Sequence, residues 1–437
     1  MSTSPLPHAR AQPLAIVIIG VLFFVFGFVT WLNGSLIPYL RIICDLDVSQ
    51  AFFVTFAFYI AYTVMALPVS GLLARTGYRR GMALGLAIIA GGALIHIPAA
   101  LLASFPLFLL GLFTMGSGLT VLQTASNPYI VLLGPPESAA RRISIMGIVN
   151  KAAGAIVPMV FASVVLARLG DLGAIEKAGL TPDIRQMLAR QLILPYLAMA
   201  AILLVLVGFI RVMPLPEVHP PNTATDRGDA RLMDQPRLIL GVITLFGYMG
   251  LEVMAGDTIG VFGAHLGFPK FLTLTSYTMS FMVLGYILGI LLIPRVISQR
   301  TALRISGVAG LAMTCGVMLS SPQSMAISQN LWGWSGLPPI PDPVFFVAAM
   351  GLAHAQVWPT LWPLALQGAG AATARASGLL IMAISGGALI PLLFGQLSHA
   401  LPVMQQAYAL AIPCYALILF YGWKGCTMVR WPFASRG

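Results

Sequence analysis

The 437-residue sequence carries 24 Lys and Arg against 13 Asp and Glu, a formal net charge of +11, and is 58% hydrophobic with only 8% charged residues. A soluble domain carries roughly 25% charged residues, so a soluble globular protein is excluded; the arginines are spread over short loops, which excludes a folded basic patch for nucleic acid. The four cysteines (Cys44, Cys315, Cys414 and Cys426) have no CxxC spacing and read as packing residues, with neither metal nor disulfide chemistry expected.

Apolar runs of about 20 residues, enough to cross ~30 Å of hydrocarbon, predict an all-α integral membrane protein. Twelve transmembrane helices are expected over 14–40, 49–74, 82–103, 105–131, 143–168, 193–213, 238–264, 272–294, 302–320, 343–366, 373–397 and 405–423. The residues before the first run are polar and Pro-rich, and the run is too long for the apolar core of a cleavable signal, so none is expected.

In the first span, Asn33 is a mid-membrane amide that either lines the cavity or is a packing residue, while Gly34 beside it suits close helix packing. In the fourth, Gln123 and Asn127 stand four apart on one helical face. A primary amide both donates and accepts, which suits the vicinal hydroxyls of a sugar. The fifth span holds Asn150 and Lys151, the one lysine inside any span. Lys151 either snorkels toward the nearer interface or makes a salt bridge or sugar contact that breaks during transport.

The seventh span contains Glu252 and Asp257, the two acidic residues of the chain that fall inside an apolar run. Such residues cost ~2.5–3.5 kcal/mol to insert and mark ion or substrate pathways. Five residues separate them, about 140° around a regular helix, and Ala255-Gly256 between them offers a point at which the helix unwinds. A proton-carrying role is expected for one of them, against a structural carboxylate paired with Lys151. In the tenth span, Trp358 and Trp362 share a face with His354. Indoles suit the apolar faces of a pyranose, so amides opposite indoles describe a sugar pocket; the alternative is interhelical packing. His96, His265, His354 and His399 are expected to be satisfied helix-end or packing residues rather than proton carriers.

Charge sets the orientation. With an even number of spans, both termini lie on one side, where 17 of the 24 Lys and Arg fall; six lie opposite. The positive-inside rule makes the termini cytoplasmic, in the inner membrane.

The polar stretch 214–236 divides two six-span halves, 1–213 and 237–437. Phe26-Gly27, Arg75 and Arg80 match Phe246-Gly247, Arg295 and Arg300 at an offset of 220. Asn127-Pro128 aligns with Trp362-Pro363 at 235, and Arg142, Ser144, Gly154 and Pro158 match Arg375, Ser377, Gly387 and Pro391 at 233. Order and near-constant offset indicate duplication.

Two such halves describe the major facilitator fold, and the loop from Gly71 to Gly81 resembles that superfamily's signature, without its usual acidic residue. Leu32-Asn33, Gly77-Tyr78-Arg79-Arg80-Gly81, Leu122 to Pro128 with Leu133-Gly134-Pro135, and Glu252 resemble the fucose–galactose–glucose symporter family, which includes glucose/galactose transporters. Two departures matter: the family's fucose member has an aspartate at the position of Gly34 and a glutamate at that of Gln123, so its coupling scheme does not carry over. Trp31 to Gly34, Arg142 to Gly147 and Glu252 to Asp257 resemble a subgroup that includes N-acetylglucosamine transporters.

The resemblance implies a monomeric secondary transporter importing a monosaccharide, a hexose of glucose/galactose type, by cation-coupled alternating access. No organic cofactor is implied, the coupling ion being H⁺ or Na⁺. Competing expectations are an N-acetylglucosamine importer, a multidrug or metabolite exporter, and a transport-dead sugar sensor. A membrane enzyme finds no HExxH, GxSxG or Cys cluster to support it.

Overall fold

A computed structural model describes residues 11–132, 139–166, 181–213, 232–293, 295–368 and 373–431. The expectations resting on Arg10, Leu133-Gly134-Pro135 and most of the 214–236 connection lie outside the described residues. Among the described residues all regular structure is helical, as it must be where no water satisfies the backbone.

Among the described residues, twelve helical segments are long and apolar enough to cross a membrane, here spans 1 to 12: Ala15–Cys44, Val48–Ala66, Arg75–Leu101, Phe105–Asn127, Arg142–Val164, Pro182–Val212, Pro236–His265, Phe271–Leu292, Gln299–Leu319, Asp342–Leu366, Ala376–Ala400 and Met404–Thr427. Ten of the twelve predicted runs start within about four residues of these, inside the usual boundary error. Spans 3 and 6 differ more, because helix continues where hydropathy stops. Helix runs from Phe53 through to Leu101, with one break at Gly77, whose φ of 75° turns span 2 into span 3. A short polar helix, Pro182–Arg190, capped by the Thr181 hydroxyl, leads into span 6.

Lipid-facing side chains such as Val205 and Val212 stand 71% and 83% exposed, as bilayer solvation allows. Inside, packing is pseudo-symmetric. Span 1 packs on span 5 and span 7 on span 11; span 3 packs on span 6, where His96 stacks on Tyr196, and span 9 packs on span 12. Between the two six-helix halves, span 2 meets span 11 and span 5 meets span 8. The chemistry repeats too. Arg79, opening span 3, donates from Nε to the Ile210 carbonyl at the end of span 6 (3.2 Å), and Arg304 in span 9 donates to Gly422 at the end of span 12 (3.0 Å). Guanidinium groups there satisfy terminal carbonyls and complement the helix dipole.

Candidate functional site

Span 7 supplies Glu252 and Asp257 and stays one α-helix from Pro236 to His265. The unwinding expected at Ala255-Gly256 does not occur. Span 8 instead braces that turn: the Thr275 hydroxyl donates to the Gly256 carbonyl (2.8 Å) and Thr278 to that of Ala255 (3.4 Å). Irregular points lie instead in other spans, among them span 1 at Leu32, span 10 between His354 and Val357, and span 11 at a 3₁₀ turn, Ala383–Ser385. On a regular helix, Glu252 and Asp257 point about 140° apart, and they enter two separate clusters.

Glu252 is engaged on both oxygens. Lys151 of span 5 pairs with Oε1, and the Tyr248 hydroxyl, one turn earlier on span 7, donates to Oε2. The pair is buried, with side chains 8% and 4% exposed, so Lys151 does not snorkel to the interface. Its ammonium also lies over the Trp31 indole, 4.3 Å from the ring centroid. Trp31 Nε1 donates to Asn150 Oδ1 (3.4 Å), and Asn150 Nδ2 donates to the Phe23 carbonyl (3.4 Å). Glycines admit the indole. A Cβ on Gly154 would lie 2.8 Å from Trp31 Cγ, and one on Gly256 would lie 3.1 Å from its Cε3. Trp31 is thereby wedged between spans 5 and 7, at the junction of the halves.

Asp257 is placed otherwise. It is fully buried; Oδ2 accepts from the Thr55 hydroxyl of span 2 (2.9 Å), while Oδ1 has no hydrogen-bond partner. One turn along span 2, the buried Tyr59 hydroxyl is also unpartnered. Tyr59 stacks on Tyr62, with centroids 6.1 Å apart and planes at 22°. The Tyr62 hydroxyl in turn accepts from Gln123 Nε2 (2.9 Å).

Gln123 thus reaches span 2 of its own half, and Asn127, one turn on, is half-buried. Trp358 and Trp362, also half-buried, stack on each other at 5.1 Å and 26°. His354 is buried with its Nε2 at 2.7 Å from the Tyr415 hydroxyl, while its Nδ1 has no partner, so it is only half satisfied. His96 stacks on Tyr196 at 4.0 Å. Asn33 is buried with Nδ2 unpartnered.

The halves close on the face opposite the termini. A Cβ on Gly34 would lie 2.8 Å from the Gly256 carbonyl oxygen, and one on Gly260 would lie 3.1 Å from that of Gly34. The Ser35 hydroxyl donates to the Leu272 carbonyl (2.7 Å), and Phe52 meets Phe394 edge-on at 5.8 Å. Asp257 sits inside this closed end, whereas Gln123, Asn127, Asn150, Trp358 and Trp362 keep partial exposure. Sequence reasoning missed Trp31, Thr55, Tyr59, Tyr62 and Tyr248. A four-residue spacing to Glu252 marks Tyr248, and the Tyr59–Tyr62 spacing marks one helical face; the partners across spans leave no local signal.

The Major Facilitator Superfamily model matches residues 19–424. The chain is 32% identical to a glucose/galactose transporter of Brucella abortus, covering 93% of this chain and 92% of that protein. It is 30% identical to a putative glucose/galactose transporter of Helicobacter pylori (95% and 97% covered) and 25% identical to the L-fucose-proton symporter of Escherichia coli (95% and 93%). Among solved structures, the E. coli fucose:proton symporter superposes with a TM-score of 0.71 at 21% identity, covering 94% of this chain and 98% of that one, and a D-xylose-proton symporter with 0.64 at 15% (94% and 97%). With twelve membrane-crossing helices in two pseudo-symmetric halves and end-to-end similarity to these transporters, the chain belongs to the Major Facilitator Superfamily, within its fucose–galactose–glucose symporter family.

Proposed function

We propose that the protein imports a neutral monosaccharide of glucose/galactose type across the inner membrane by alternating access, as a monomer with cytoplasmic termini, in symport with H⁺ carried at Asp257. The observation that carries this reading is the placement of buried polar side chains where the two halves meet, with one face closed and the amide and indole candidates partly exposed. The sugar class rests on the full-length relatives named glucose/galactose transporter. The orientation rests on the positive-inside distribution.

Of the two carboxylates, Glu252 has both oxygens occupied and Asp257 has one free. A proton needs a single free oxygen, whereas a hard metal cation gathers several oxygen ligands. Asn33, Gln123, Asn127, Asn150, Lys151, Trp358 and Trp362 remain the candidates for lining the sugar path, Lys151 through its ion pair.

The test is uptake of radiolabelled glucose, galactose and N-acetylglucosamine into proteoliposomes under an imposed pH or Na⁺ gradient. Proton-driven accumulation of glucose or galactose, lost in Asp257→Asn, is expected. Uptake indifferent to gradients and to Asp257→Asn would make this a uniporter; uptake of N-acetylglucosamine alone would move the substrate class. Absence of any flux would overturn import.

A further inference from the structure

We infer that Thr55, Tyr59 and Tyr62 form a polar ladder on span 2 that ties the ion site at Asp257 to the sugar site at Gln123, with Tyr59 as its moving rung. The inference rests on the symport reading above. The three residues sit at i, i+4 and i+7, one stripe of a helix. The lower rung bonds Asp257 across the junction of the halves, and the upper rung bonds Gln123 (2.9 Å at each end).

Between them are two unsatisfied groups, Asp257 Oδ1 and the Tyr59 hydroxyl. Buried polar atoms are nearly always paired, and exceptions call for a cause. A proton arriving on Oδ1 turns that acceptor into a donor, and the free Tyr59 oxygen, one turn from Thr55 on span 2, accepts from it once the rung moves within reach. Tyr59 then directs its own O–H toward Tyr62, and Tyr62 directs its O–H toward Gln123 or a sugar hydroxyl. The proton stays on Asp257; only hydrogen-bond direction passes along the ladder.

Span 1 presents Gly34 to the turn beside Asp257, span 8 presents Thr275 and Thr278, and span 11 presents Gly387 to Tyr59. The titratable neighbours are Tyr59 and Tyr62, Tyr408, which is hydrogen-bonded to Thr258, and Glu252, which is held by Lys151 and Tyr248. By linkage, a sugar bound at Gln123 raises proton affinity at Asp257 by the same factor that the proton raises sugar affinity.

The experiment measures the affinity of the transported hexose at acid and alkaline pH for the full-length reconstituted protein and for Tyr59→Phe, Tyr62→Phe, Thr55→Val and Asp257→Asn. Phenylalanine keeps the ring stack and removes only the hydroxyl. In the wild type the two affinities differ by about tenfold, within the usual range of site–site coupling; in Tyr59→Phe and Tyr62→Phe the ratio falls close to one, and Thr55→Val lowers it. Tyr59→Phe with the wild-type ratio would overturn the ladder, as would a loss of affinity equal at both pH values. Should Tyr59→Phe not fold, a wild-type ratio in Tyr62→Phe does the same. Asp257→Asn separates the premises: if it keeps the wild-type ratio, the ion site itself is wrong, whatever the tyrosines do.

Discussion

Replacing Lys151 by Met strips the cation from a pair whose side chains are 8% and 4% exposed. Glu252 would keep only the Tyr248 hydroxyl, and breaking a buried pair from one side costs ~3–5 kcal/mol. Glu252→Gln is milder: the Lys151 ammonium stays 4.3 Å above the Trp31 ring, where cation–π attraction offsets ~1–2 kcal/mol, leaving a loss of ~2–3 kcal/mol. The double variant Lys151→Met/Glu252→Gln leaves no stranded charge, and neutral groups of similar volume replace a buried pair at little cost. It is expected within ~1 kcal/mol of wild type, a departure from additivity of at least ~4 kcal/mol. Apparent melting temperatures of the four proteins, in one detergent at one scan rate, give the comparison. A double variant as damaged as the sum of the singles would refute the reasoning, and so would a Lys151→Met protein that melts with the wild type.

Two further outcomes follow from the glycines. Gly34→Ala puts a methyl 2.8 Å from the Gly256 carbonyl oxygen, whose Thr275 bond holds it in place, so the halves cannot close opposite the termini. Labelling of Thr55→Cys by an impermeant thiol reagent, with the four native cysteines replaced by Ser, then rises over the same protein with Gly34, and accumulation falls; unchanged labelling counts against the contact as a gate. Gly77→Ala forces a side chain into φ 75°, ψ 169°, a region essentially restricted to glycine, at a strain of ~1–3 kcal/mol, read as a lowered melting temperature; an unshifted melt would mean the turn relaxes around the methyl.

Much of the molecule was legible before any coordinates. Asn33, Gln123, Asn150, Lys151, Glu252 and Asp257 stand out because a polar side chain inside an apolar run is costly wherever the bundle places it. The alternatives left for Lys151, snorkelling or pairing, and for Glu252, carrying a proton or pairing with Lys151, differ only in what lies on another helix. The one local structural expectation that failed was unwinding at Gly256. Its absent side chain serves the Trp31 indole instead, a use of glycine that the residue itself does not distinguish from a helix break.

The sequence by itself determined the membrane setting, the twelve spans and the internal repeat, because hydropathy and backbone satisfaction in a bilayer are local properties of about 20 residues at a time. Tertiary structure alone decided which carboxylate is occupied and which is free. Lys151 lies 101 positions from Glu252, and Thr55 lies 202 from Asp257. Such partners meet only when the two halves pack, and it is the desolvation of that junction that makes each pairing consequential.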